Sequence, residues 1–244
     1  MSELNRIKDD WRRGTGPRTA PDMARDLVQE YGALSALRLM NDLGTDLYVE
    51  EKDLMGALQW LDTCIQFGLA LSLGLKDTPR KEVLNEAKAA AYHMATYCWP
   101  GWGDPAIKVS ESEKKLGLQM AKLNMTLCHE LRKPDIVAAR AHWLLGAMIM
   151  AFGVYPAAIS HFKQGAELAA RAGETDEKEL CEAFAACCDC IWQHKGRFVE
   201  TDLDRIIQQC IQHDPAGDLA RQLTTAMHVF KPTSNPAHRA VVAV

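Results

Sequence analysis

The residues of this chain that are best suited to metal chemistry fall together on one predicted helix near the C-terminus. They are four cysteines and one histidine: Cys181, Cys187, Cys188, Cys190 and His194. Thiolate and imidazole groups are the usual ligands of Zn²⁺ in proteins. A helix rises about 1.5 Å per residue, so Cys187 and His194 begin about 10 Å apart along its axis. Because zinc needs its ligand atoms within about 2.3 Å, a site would also require a second helix, for example through Cys210 or His213.

The alternative for these cysteines is packing between helices, since a free cysteine behaves as a small apolar residue. The sequence also lacks the nucleophile motif Gly-x-Ser-x-Gly, the zinc-protease motif and the glycine-rich phosphate or dinucleotide motifs. We therefore predict no catalytic residue, no metal and no cofactor. A metal site on Cys187, Cys190 and His194, or an enzyme site assembled only in three dimensions, remains an alternative.

The composition is that of a globular protein without a nucleic-acid surface. The chain has 244 residues, of which 48% are hydrophobic and 25% charged, and its formal net charge is −4. Lys and Arg are scattered, whereas nucleic-acid binding needs a basic stripe. Eight Cys and no apolar run of signal-peptide type at the N-terminus predict free thiols in the cytoplasm. Neither the charge nor the composition predicts an oligomeric state.

One segment, Ala141–Phe162, contains no Asp, Glu, Lys or Arg and is long enough to be considered as a membrane span. Gly153 and the pair Tyr155-Pro156 divide it into two shorter helices. We therefore predict no membrane-spanning helix.

Helical periodicity runs through most of the chain. In the clearest example, Leu54, Leu58, Leu61, Ile65 and Leu69 recur at steps of three and four residues. No convincing pair of strands is present. The sequence predicts an all-α fold of about nine or ten helices in antiparallel pairs, with an N-terminal arm (1–20), a helical domain (21–230) and a C-terminal tail (231–244).

The best-defined pair of helices lies in Ala139–Arg171, where the chain turns at Gly153. Small residues at Gly146 and Ala158 let the two helices approach closely, and Phe162 fills the space beside them. Together with Trp143 and Leu145, this pattern resembles one tetratricopeptide (TPR) repeat. A similar turn, Gly196-Arg197-Phe198, follows 43 residues after Gly153-Val154-Tyr155, an interval that HEAT-like units also have. The resemblance implies a right-handed α-solenoid.

The resemblance also implies a binding surface, because the first helix of each TPR pair lines a concave groove. The expected partner-binding residues are Tyr92, Trp99, Trp102, Arg140, Trp143, Met150 and His194. Aromatic residues with a nearby Arg are enriched at binding hot spots. We predict that Trp99 and Trp143 form an exposed pair on this groove. The alternative is that Trp143 and Tyr92 are core residues between successive pairs of helices.

The resulting hypothesis is a cytoplasmic TPR-like scaffold that binds a peptide or protein segment, as an adaptor, chaperone or regulator. It predicts no nucleic-acid and no membrane partner. A sensor of small molecules or signal peptides on the same groove is the first alternative, and an enzyme or metal protein is the second.

Overall fold

A computed structural model of the chain describes residues 3–13, 19–193, 200–214 and 216–230. In these ranges it contains eleven α-helices, one short 3-10 helix and no strand. The α-helices are α1 (Glu3–Arg13), α2 (Ala20–Tyr31), α3 (Ala33–Val49), α4 (Leu54–Leu73), α5 (Asp77–Tyr97), α6 (Glu111–Glu130), α7 (Asp135–Met150), α8 (Tyr155–Ala172), α9 (Thr175–Gln193), α10 (Glu200–Cys210) and α11 (Asp218–Val229). The 3-10 helix, Pro100–Trp102, lies between α5 and α6. The predicted all-α class is confirmed.

The helix count in the described ranges exceeds the predicted nine or ten because α1 forms within the segment 1–20 that was predicted as an arm. Ile7 of α1 is buried, and the Lys8 ammonium pairs with the Asp46 carboxylate on α3. The predicted tail, residues 231–244, lies outside the described residues. The division into arm, helical domain and tail stays a prediction.

The helices pack in the order of the chain. From α2 to α11 each helix contacts the next one. The odd-numbered helices also contact one another in turn, α1 with α3, α3 with α5, α5 with α7, and α7 with α9. We call α3, α5, α7 and α9 the odd layer. This sequential packing is compatible with a helical repeat. The second copy of the turn, at Gly196, lies outside the described residues.

The central pair, α7 and α8, packs as its sequence predicts. A Cβ atom added to Gly146 would stand 3.0 Å from two ring carbons of Phe162 and 3.2 Å from the carbonyl oxygen of Ala158. Ala158 and Phe162 are fully buried. The helices therefore approach closely at Gly146 because this residue has no side chain.

Two large hydrophobic clusters make up the interior, and they meet at α5. Met94 and Cys98 belong to the N-terminal cluster, which runs from α1 to α5. Ala95 and Trp99 belong to the C-terminal cluster, which runs from α5 to α11. Neighbouring positions at the end of α5 thus face opposite halves of the molecule. Among the described residues, no helix is both long and apolar enough to cross a membrane.

Candidate functional site

Aromatic side chains converge where α5 ends beside α7 and α9. We call this group the aromatic cluster, and it consists of Trp99, Trp102, Trp143, Phe162, Phe184 and Phe230. The Trp99 ring lies 4.9 Å from Trp102 and 5.4 Å from Trp143 between centroids, in edge-to-face geometry. The Trp99 indole N–H donates to the carbonyl oxygen of Ala147 at 3.1 Å. These contacts fix the orientation of the rings between α5, α7 and α9.

The prediction of an exposed Trp99–Trp143 pair is wrong. Trp99 is 1% exposed and Trp143 is 6% exposed. They are buried because α11 and the 3-10 helix pack on this side of the odd layer. On α11, Leu223 and Met227 are fully buried in the same hydrophobic cluster as the two indoles. Trp143 is therefore a core residue in this structure, which is the alternative that the sequence left open.

A cavity of about 260 Å³ remains beside these rings, between α5, α7, α9, the 3-10 helix and α11. We call it the Trp143 cavity. Its lining consists of Tyr92, Trp102, Arg140, Trp143, Asp176, Glu177, Leu180, Leu219 and Gln222. The walls are thus aromatic and aliphatic, and charged groups gather at one side.

The cavity brings together four of the seven predicted partner-binding residues, namely Tyr92, Trp102, Arg140 and Trp143. Trp99 does not line it but packs edge-on against Trp102 and Trp143. Met150 is buried at the end of α7 and does not line it either. His194 lies outside the described residues. The binding role of all seven residues stays a prediction.

Among the described residues, the indole N–H of Trp143 has no hydrogen-bond partner although the side chain is buried. By contrast, the indole N–H of Trp102 donates to the carbonyl oxygen of Thr96 at 2.8 Å. A buried donor without an acceptor costs about 1–3 kcal/mol. The Trp143 indole, which is part of the cavity wall, therefore carries a buried donor that no described residue satisfies.

The charged side of the cavity is acidic on balance. The Arg140 guanidinium donates to the Glu177 carboxylate at 2.5 Å, and this bond raises the pKa of Arg140. Asp176 adds a second carboxylate. Burial raises the pKa of the Tyr92 phenol, so that group stays neutral. At pH 7 the rim combines one cation with two anions.

Sequence reasoning did not identify the contributions of α9 and α11 to this cavity, which are Asp176, Glu177, Leu180, Leu219 and Gln222. Asp176 and Glu177 resemble any acidic first turn of a helix, which favours the helix dipole. Leu219 belongs to the apolar face of α11, but nothing local indicates where that face docks. The missing information concerns contacts between distant parts of the chain.

The cysteine-rich helix α9 is a packing element in this structure. Cys181, Cys187 and Cys188 are buried free thiols, and burial raises the pKa of each. Within the described ranges, no group of three or more His, Cys, Asp or Glu side chains is arranged to hold a metal ion. His213, which could have completed a zinc site, lies with its Nδ1 atom 2.6 Å from the buried Glu179 carboxylate.

Two other features could serve as binding sites by their geometry, a surface groove and a close pair of histidines. A surface groove of about 520 Å³ runs between α8 and α9, but it is lined by alanines and by charged residues such as the ion-paired Lys178 and Glu182. His142 on α7 and His161 on α8 bring their Nδ1 atoms to 3.1 Å, and burial lowers the pKa of His142 to about 4. Neither feature includes a residue predicted to bind a partner.

Comparison of the chain with protein-family models, with curated proteins and with solved structures gives no match.

Proposed function

We propose that this protein is a TPR-like, right-handed α-solenoid that binds a peptide or protein segment along the odd layer, as an adaptor, chaperone or regulator. The sequential packing of the helices supports the repeat architecture. The proposed contact region is the Trp143 cavity and the adjoining aromatic cluster.

The observation that carries the proposal is a cavity lined in part by residues that the TPR pattern assigns to the groove, Tyr92, Arg140 and Trp143, together with a Trp143 indole N–H that no described residue satisfies. An incoming carbonyl or side-chain oxygen would satisfy this donor. Tyr92, Trp102 and Leu180 would supply apolar contact for the rest of the bound group.

The size of the cavity favours a peptide over a free small molecule. Pockets for drug-sized ligands occupy about 300–1,000 Å³, whereas this cavity measures about 260 Å³. That volume suits one or two side chains of a longer segment. The remaining contacts of such a segment would lie outside the cavity, along the odd layer.

The proposal is tested with Trp143→Phe, which keeps a buried ring and removes the N–H. A partner is first isolated with the full-length chain as bait, and its affinity for each variant is then titrated. We expect Trp143→Phe to fold normally and to bind about fivefold more weakly, equivalent to the loss of about 1 kcal/mol from one hydrogen bond.

Trp60→Phe is the matched control. Trp60 is also fully buried, and its indole N–H also lacks a partner in the part of the chain that the structure describes, but it belongs to the N-terminal cluster. It should bind the partner as tightly as the unmodified chain. Equal affinity of both variants would show that the partner does not use the Trp143 cavity.

A further inference from the structure

Helix α11 occupies the surface that the TPR pattern assigns to a partner. Its apolar residues follow a helical period on one face: Leu219, Leu223, Ala226, Met227 and Phe230. At its C-terminal end, the Phe230 ring lies 6.1 Å from Trp99 between centroids. Thr225 packs closely on Gly103, since a Cβ atom added to Gly103 would stand 2.6 Å from the Thr225 methyl carbon. The aromatic cluster thus already holds an amphipathic helix, supplied by the chain itself.

Within the described ranges, apolar contact alone holds α11 on this surface. In the described part of the chain, the hydrogen bonds of α11 residues all go to partners between Asp214 and Phe230. Hydrophobic contact is non-directional. A different helix with apolar residues at the same spacing can therefore dock on this surface.

The segment before α11 is anchored to α9 by hydrogen bonds. The buried Glu179 carboxylate on α9 accepts bonds from the backbone N–H groups of Gln212 at 2.8 Å and His213 at 2.9 Å. Asp214 then caps the first turn of α11, and Gly217 takes a positive φ of 69° just before it. The polar attachment therefore ends where the helix begins.

The fit of α11 is also incomplete. Leu219 and Gln222 line the Trp143 cavity without filling it, and no described residue accepts a hydrogen bond from the Trp143 N–H. A partner helix that placed a side-chain oxygen in the cavity would gain a hydrogen bond that α11 does not make. Helix α11 has an advantage over a partner because it is part of the same chain and so has a high effective concentration at this surface. The additional hydrogen bond of the partner offsets part of that advantage.

We propose that the partner segment is an amphipathic α-helix with apolar residues at positions i, i+4, i+7, i+8 and i+11, and that it binds by replacing α11. This inference rests on the proposed function and specifies the class of partner and its competitor. Because α11 must leave first, the apparent affinity of the partner falls by the fraction of molecules in which the surface is open.

The first experiment titrates a fluorescent synthetic peptide of residues 216–230 into the full-length chain. The variant Leu223→Ala/Met227→Ala removes buried contacts of the attached helix but leaves the odd layer intact. We expect it to bind the peptide about tenfold or more tightly than the unmodified chain. His228→Ala, a change at an exposed position of the same helix, should bind like the unmodified chain. Equal affinity of the double variant and the unmodified chain would overturn the proposal.

The second experiment needs no substitution and covers the case in which the double variant loses its fold. Hydrogen exchange of the unmodified chain is followed with increasing unlabelled peptide. The amides of Asp218–Val229 in the chain should exchange faster as the peptide replaces them. Unchanged exchange at the highest peptide concentration would contradict replacement.

The two proposals fail in different ways. A captured partner that binds the unmodified chain and the Leu223→Ala/Met227→Ala variant equally, but loses affinity with Trp143→Phe, would contradict replacement of α11 and keep the proposed function. Peptide binding that the double variant strengthens, together with a partner unaffected by Trp143→Phe, would support replacement and contradict the proposed use of the cavity.

Discussion

The close contact between Gly146 and Phe162 gives a direct test of how α7 and α8 pack. Phe162 is fully buried, and its ring centroid lies 5.2 Å from that of Phe184. Replacement of a buried Phe by Ala removes apolar contact and leaves a cavity, at a cost of about 3–5 kcal/mol. In a chain of this length, the melting temperature should fall by roughly 6–20 °C.

A second substitution sharpens the test. Gly146→Ala gains up to about 1 kcal/mol of helix propensity, but the added carbon stands 3.0 Å from the Phe162 ring. Overpacking of this kind costs about 1–3 kcal/mol. In the Phe162→Ala background the ring is gone and the methyl group enters the vacated space. The double variant should therefore be more stable than the sum of the single effects by about 1–2 kcal/mol.

The free energies of unfolding are measured by urea denaturation, followed by both circular dichroism and tryptophan fluorescence. Phe152→Ala, at a half-buried position in the turn between the two helices, is the control and should cost clearly less than Phe162→Ala. A loss below about 1 kcal/mol for Phe162→Ala, or single effects that add within about 0.5 kcal/mol, would refute the argument.

In the folded chain, Cys187 should react with a thiol reagent much more slowly than the half-buried Cys210, and unfolding should remove the difference. Stoichiometric zinc in protein purified without added metal would contradict this packing role. Burial in the folded state lowers the pKa of His142 to about 4, so the unfolded chain takes up a proton at this side chain first, near pH 6.5. The free energy of unfolding should therefore fall as the pH drops from about 6.5 towards 4. The denaturation midpoints at pH 7 and pH 5 should differ less in His142→Gln than in the unmodified chain. The control substitution His228→Gln, at an exposed position, should leave this difference unchanged. Arg140→Ala removes the cation of the cavity rim, so binding of a partner that places a carboxylate beside Arg140 should weaken and become less dependent on salt, as titrations at two ionic strengths would show.

Features that depend on neighbouring residues could be read from the sequence. One example is the capping box Ser110-x-x-Glu113, in which the Ser110 hydroxyl accepts from the Glu113 N–H and the Glu113 carboxylate accepts from the Ser110 N–H. The close approach at Gly146 was also predictable, because it requires only two helices joined by a short turn. Both signals lie within one or two helices.

Features that depend on distant residues could not. The Trp99 and Trp143 side chains were correctly grouped as neighbours, but their burial depends on α11, which follows much later in the chain. An amphipathic helix indicates that its apolar face is covered and does not indicate by what. Helix α1 could have been predicted from its own residues, because Leu4, Ile7 and Trp11 recur at helical spacing, although the segment is otherwise rich in charge.

The docking of α11 on a surface that earlier helices form has a consequence for the order in which the chain folds. Most contacts of the interior join helices that are neighbours in sequence, so each can form as soon as the next helix emerges during synthesis. Helix α11 is the exception, because its docking surface around Gly103 and Trp99 is made long before α11 itself. A nascent chain therefore presents its aromatic surface uncovered until α11 has been synthesised, and during that interval another amphipathic helix can reach the surface.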